Sequence, residues 1–184
     1  MGGAVATRVA ELAPELLAAL VYVAAFVPTK LGSSAAYLAL PEARSARGSS
    51  LYVGDPGAIG VVRIDPRSAD DAYLDELHAA YFSGLDRRDF LALAATRTPD
   101  QPIAFLASAS GATAERWGSV PRAYVRTTRD RVLPIELQDV MVNHADALAP
   151  KTEFRQASIA AGHAVFVSHP EQLADAIEHL CAPD

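Results

Sequence analysis

Trp117-Gly118-Ser119-Val120-Pro121-Arg122-Ala123-Tyr124-Val125-Arg126-Thr127-Thr128-Arg129-Asp130 is the segment from which the architecture follows. After Pro121, the residues Ala123 to Thr128 are, apart from Arg126, small, aromatic or β-branched, which suits a strand. A carboxylate, Asp130, stands directly behind that strand, and Leu133-Pro134 then opens a helical pattern over Ile135 to Leu148. Strand, short loop and helix in succession make the building unit of an α/β protein.

The unit repeats towards the C-terminus. Thr152 to Ser158 reads as a second strand, Gly162-His163 lies in the loop behind it, and Pro170 to Leu180 forms a helix approached through Ser168 and His169. Towards the N-terminus, the unbroken apolar run Leu16 to Phe26, closed by Pro28, suits a strand buried on both faces and central in a parallel sheet. Before it, Val5, Val9 and Leu12 share one stripe of a helix over Gly3 to Ala13, ended by Pro14-Glu15.

Between Thr29 and Gly111 the pattern changes. Gly32-Ser33-Ser34 and Arg47-Gly48-Ser49-Ser50 have loop chemistry, and Leu51-Tyr52-Val53 with Val61-Val62-Arg63-Ile64 predict a hairpin around Gly54-Asp55-Pro56-Gly57. Helices are expected over Ser68 to Phe82 and Asp86 to Ala95, each with acidic residues at its start. We read residues 29–111 as a mainly helical lid inserted into a core made of residues 1–28 and 112–184.

Composition excludes several classes of function. The 184 residues are 51% hydrophobic and 21% charged, enough apolar matter for one packed domain. A net charge of -6 and a pI near 5.3 offer no basic face for nucleic acid. Leu16 to Val27 is too short to span a bilayer, and Arg8 and Glu11 interrupt any leader-like start. Cys181 is the single cysteine, which leaves no intrachain disulfide and no Cys-rich zinc site, so a cytoplasmic location is expected.

Two loops carry titratable groups at strand ends, where ligand sites of open α/β sheets form. Adjacent parallel strands would bring Asp130 and His163 side by side, the aspartate holding the imidazole in one tautomer as in a nucleophile-His-Asp constellation. A solvated loop carboxylate and a surface histidine is the plainer alternative. His78, His144, His169 and His179 are assigned surface roles. His78 with Asp75 supplies only two ligands, so no metal is expected, and Gly54-Asp55-Pro56-Gly57 is a turn rather than a phosphate loop.

The Trp117–Asp130 segment, with Leu133-Pro134 and Gln138, closely resembles the acid-bearing strand and loop of α/β-hydrolases. Within that superfamily it is similar to the branch of plant-type methylesterases and hydroxynitrile lyases and their bacterial relatives. Gly162-His163-Ala164-Val165-Phe166-Val167-Ser168-His169-Pro170-Glu171-Gln172-Leu173-Ala174 resembles the family's histidine loop and last helix. Met1-Gly2-Gly3-Ala4-Val5-Ala6 resembles the second half of its nucleophile elbow, Gly-His-Ser-Met-Gly-Gly-Ala.

The resemblance implies the C-terminal part of an α/β-hydrolase fold, with His163 and Asp130 catalytic and the backbone of Met1 at an oxyanion-hole position. The nucleophilic serine would stand immediately before Met1, so we expect the natural gene to encode a longer protein. Ser33, Ser34, Ser49, Ser50 and Ser83 lack elbow context. The lyases of the branch place a lysine after the histidine; Ala164 stands here, which implies ester hydrolysis. Phe26, Tyr37, Phe82 and Leu133 are candidates for apolar walls around a small ester, and Trp117 for the anchor of the lid's return. No cofactor is implied, nor a nucleic-acid or membrane partner. An unpaired edge on the Leu20–Ala25 strand would favour self-association. The rival readings are a noncatalytic small-molecule-binding or interaction protein, and an obligate half of a complex whose partner supplies missing strands.

Overall fold

Three strands drawn from distant parts of the chain make one parallel sheet in the computed structural model, which describes residues 1–182. In chain order the elements are α1 (Gly2–Leu12), β1 (Leu20–Val23), α2 (Ser34–Leu38), α3 (Pro56–Ile59), β2 (Val61–Arg63), α4 (Asp71–Tyr81) and α5 (Arg87–Ala95). They continue with β3 (Asp100–Pro102), α6 (Ala104–Ala107), β4 (Arg122–Thr127), α7 (Ile135–Leu148), β5 (Arg155–Ile159), α8 (Val165–Ser168) and α9 (Pro170–Cys181).

The parallel sheet runs β1-β4-β5, with Tyr22 opposite Tyr124 and Val125 opposite Ala157. β4 is the central strand because both of its edges are paired, and five of its six residues are buried. This corrects the expectation that the Leu16–Phe26 run lies at the centre. Only Leu20–Val23 pairs, and among the described residues β1 is at the sheet edge. Pro14–Leu16 turns as a 3-10 helix before it, and Ala24 leaves it with a φ of 44°, so the apolar run is longer than the strand.

α7 leads from β4 back to β5 and is fastened by Gln138, fully buried. Its Nε2 donates to the carbonyls of Thr127 (3.0 Å) and Leu133 (2.7 Å), and its Oε1 accepts the Thr127 N–H (3.0 Å). α9 covers the other face, Leu173 and Leu180 packing with Ala123, Val125 and Ile159. Among the described residues no helix is long and apolar enough to cross a membrane.

α1 meets the sheet with the face opposite to the expected one. Val5, Val9 and Leu12 are 45%, 46% and 59% exposed, while Gly3, Thr7, Ala10 and Glu11 are buried. The reason is proximity. A Cβ on Gly3 would overlap the carbonyl oxygen of Phe26, so only small residues fit where the helix lies on the chain behind β1. The Thr7 hydroxyl returns a bond to the Gly3 carbonyl (2.8 Å) and shares one with the Tyr22 hydroxyl (2.7 Å).

Trp117 is fully buried and donates its indole N–H to Tyr22 at 3.1 Å. Arg122, also buried, lies 4.0 Å from the Trp117 ring centroid and donates to the carbonyl of Gly118 (3.1 Å) and the hydroxyl of Thr152 (2.9 Å). Glu11 ties α1 to the same corner, accepting the N–H groups of Thr113 (2.8 Å) and Trp117 (3.2 Å). Burial works to raise the Glu11 carboxyl, but those N–H groups, the Thr113 hydroxyl and Arg116 outweigh it and hold it below the ordinary value. Its contribution to stability is therefore whole above the unfolded pKa of about 4.5 and is lost as pH falls through the lower folded value. Urea unfolding of Glu11→Gln is expected to show a smaller loss of midpoint between pH 6 and pH 3 than the unsubstituted protein; equal losses would remove Glu11 from the acid response.

Within residues 29–111 the expected hairpin is replaced. Pro56 in the first turn and the Asp55 side chain, which accepts the Gly57 N–H at 2.9 Å, start the short helix α3 instead of a hairpin turn. β2 pairs antiparallel with β3, fixed by Arg63 on Asp100 at 2.6 and 2.7 Å, and only the Val53 N–H to Arg63 carbonyl bond (2.8 Å) remains of the predicted pairing. α4 starts at Asp71, capped by Asp70, three residues later than expected. α4 and α5 build a second core from Leu74, Leu77, Ala80, Phe82, Phe90 and Ala94, which also holds Ala164 of the loop behind β5.

Candidate active site

Because β4 and β5 are adjacent and parallel, their carboxyl-end loops run side by side. The ladder continues past the strands: Thr128 N–H donates to Ile159 and Arg129 N–H to Ala161, each at 3.0 Å. Asp130 emerges from one loop and His163 from the other.

The Asp130 carboxylate is fully buried and accepts four bonds. Oδ1 takes the N–H groups of Val132 (2.7 Å) and Leu133 (2.9 Å); Oδ2 takes the Thr127 hydroxyl (3.0 Å) and Nδ1 of His163 (2.9 Å). A carboxylate only accepts, so in the neutral imidazole Nδ1 carries the proton and Nε2 the lone pair. The bond to Asp130 thus fixes which tautomer the neutral ring adopts. Tyr81 stands edge-on to the ring, 5.6 Å between centroids and 90° between planes, and its carbonyl accepts the Ala164 N–H at 3.1 Å.

His163 lines a cavity of about 290 Å³. Phe26, Val62, Leu106, Val132 and Leu133 give it apolar walls, and Tyr52 and Tyr81 are also in its lining. Met1, the residue ahead of α1, is also in the lining, so the structure brings the predicted oxyanion position, His163, Phe26 and Leu133 to one space.

Two predicted wall residues stand elsewhere. Tyr37 is fully buried in the main core with its hydroxyl 3.1 Å from Nδ1 of His144, and Phe82 packs in the second core against Phe90. Two of the histidines assigned to the surface, His78 and His144, have definite partners. His144 holds Tyr37, and His78 stacks on Phe90 (4.7 Å) while its Nε2 lies 2.9 Å from the Leu85 carbonyl. Burial, with Lys30 nearby, keeps the His144 imidazole below its ordinary value, against Glu42. Asp75 is ion-paired with Arg87, and among the described residues no three His, Cys, Asp or Glu side chains gather as a metal site. Tyr52 and Tyr81 line the cavity without having been candidates from the sequence. Tyr81 is the last residue of α4, one place from the Phe82 that was chosen, and a shift of one position on a helix turns the side chain by about 100°.

A parallel sheet with an acid and a histidine on neighbouring strand-end loops above an apolar cavity is the arrangement of an α/β hydrolase. Residues 1–176 match the alpha/beta hydrolase family, and the chain belongs to it. Its fold is similar to that of a pyrethroid hydrolase from Sphingobium faniae JZ-2, with 22% identity over 98% of this chain and 67% of that one, and a TM-score of 0.76. It is also similar to polyneuridine aldehyde esterase, at 21% identity over 98% of this chain and 69% of that one, with a TM-score of 0.73. Tomato methylketone synthase I, solved with 2-tridecanone, is 16% identical over 97% of this chain and 66% of that one, with a TM-score of 0.66. Against another pyrethroid hydrolase structure the chain spans 65% of the solved length. No curated protein matches the chain significantly in sequence.

Proposed function

We propose that this chain supplies the acid–base half of a carboxylic ester hydrolase that acts on a small apolar ester by Ser-His-Asp chemistry, with the serine contributed immediately before Met1. The observation that carries the reading is the 2.9 Å His163–Asp130 pair opening onto an apolar cavity. Esterases among the structural neighbours support it. In this reaction the serine Oγ attacks the ester carbonyl carbon while Nε2 of His163 takes its proton. Collapse of the tetrahedral intermediate breaks the bond to the alkoxy oxygen, which receives that proton from His163. Water, deprotonated by the same nitrogen, then attacks the acyl-serine and releases the acid and the free serine. Asp130 stays ionised throughout and stabilises the imidazolium.

The test is hydrolysis of p-nitrophenyl butyrate by this chain and by a version carrying Gly-His-Ser ahead of Met1, each with a His163→Ala control. The extended protein is expected to turn over and to lose at least about 10³-fold in kcat with His163→Ala. A folded extended protein that is inert across an ester panel overturns the reading.

A further inference from the structure

The chain has six tyrosines, and their hydroxyls divide into two groups. Four are partnered inside the protein. Tyr22 is bonded to Thr7 and Trp117, Tyr37 to His144, Tyr73 to the Leu51 carbonyl at 2.7 Å, and Tyr124 to the Ala25 carbonyl at 2.8 Å. The other two, Tyr52 and Tyr81, have no hydrogen-bond partner among the described residues, and they are the two that line the cavity with His163. Both rings are half-buried. The Tyr81 hydroxyl reaches towards Gly48, where an added Cβ would lie 3.0 Å from it, and Gly48 lines the same cavity.

Filling an apolar cavity displaces solvent from any hydroxyl in its wall, and a donor left without an acceptor costs free energy. A molecule made only of hydrocarbon would strand both phenols; one carrying an oxygen would satisfy them. We propose that Tyr52 and Tyr81 are the specificity-determining donors of this cavity, reading a carbonyl or ether oxygen on an otherwise apolar ligand. Burial keeps both phenols protonated, and for Tyr81 the neighbouring Tyr52, Asp130 and Tyr73 act in the same direction, so both remain donors at any physiological pH. The ligand class is apolar molecules that set a carbonyl or ether oxygen against these two phenols, which for an ester means one of its own oxygens or a further one on its acyl or alkoxy part. The inference rests on the esterase reading only in taking this cavity as the substrate's place.

The experiment measures binding, not turnover. Affinities of 4-phenyl-2-butanone and its hydrocarbon counterpart butylbenzene are determined by displacement of a fluorescent apolar dye from this chain, from Tyr52→Phe and from Tyr81→Phe. The ketone is expected to bind more tightly than the hydrocarbon, and each substitution to weaken the ketone about 3- to 10-fold while leaving butylbenzene within about twofold. Thermal midpoints of both variants are expected to be equal to or above that of the unsubstituted chain, since neither phenol has an internal partner to lose. The proposal is overturned if ketone and hydrocarbon respond alike, if neither binds, or if the midpoints fall by several degrees. Because a ketone cannot be hydrolysed, these outcomes are separate from the ester assay: inert extended protein with intact ketone discrimination removes the esterase reading alone.

Discussion

Asp130→Ala is expected to lower stability by about 3 kcal/mol, a fall in thermal midpoint of roughly 6–12 °C for a chain of this size. The substitution strips acceptors from four donors at once. Two of them, the N–H groups of Val132 and Leu133, belong to backbone that has already turned towards α7 and cannot follow solvent. The informative partner is Asp130→Asn. A carboxamide oxygen still accepts both backbone N–H groups, so its stability is expected to stay within about 1 kcal/mol of the original. Its other end no longer fixes the His163 proton on Nδ1, and in the extended, serine-bearing protein kcat is expected to drop about 10⁴-fold. Chemical denaturation and ester hydrolysis measure the two effects separately. Equal destabilisation by alanine and asparagine would show that charge, rather than the acceptor pair, holds the loop.

Gly3→Ala is expected to cost about 3 kcal/mol, although alanine is the better helix former. The new methyl would overlap backbone, the Phe26 carbonyl, which no rotamer change can clear. α1 must then lift from the chain behind β1, and Phe26, a wall of the cavity, moves with it. Gly2→Ala is the matched control: nothing lies within 4 Å of a Cβ there, so the same chemical change is expected to be neutral or stabilising by about 0.5 kcal/mol. The urea midpoint should fall for Gly3→Ala and stay level or rise for Gly2→Ala. If Gly3→Ala is neutral, α1 does not lie against Phe26 as described.

These substitutions also mark where sequence patterns were legible. The strand after Pro121 was legible because an apolar run, a proline at its start and a carboxylate at its end agree, and β4 occupies Arg122–Thr127. Asp130 and His163 were legible as neighbours because strand-end loops of a parallel sheet have few places to go. The face of α1 was not: Val5, Val9 and Leu12 satisfy the apolar period, but the contact is chosen by how closely two backbones approach, and that distance has no periodic signature. The partner of β2 was hidden for a different reason. Asp55-Pro56-Gly57 serves a turn or a helix start equally well, and the pairing strand lies some forty residues away at Asp100–Pro102. Tyr52 and Tyr81 were hidden because an aromatic in the core and an aromatic in a wall are written identically; only the partners of their hydroxyls separate them.

The order of pairing in the parallel sheet has a consequence for how the molecule assembles. Ala123 meets Arg155 across about thirty residues of chain, whereas Leu20 meets Arg122 across about a hundred. Closing the longer loop costs about 1 kcal/mol more entropy before any contact rewards it. The β4–α7–β5 unit, with its Gln138 clasp, is therefore expected to form first, with β1 and α1 docking onto it afterwards. Asp130 and His163 are carried on the early unit, while Met1 and Phe26 arrive with the late one. During folding the acid–base pair is thus in register before the walls that exclude water from it have closed.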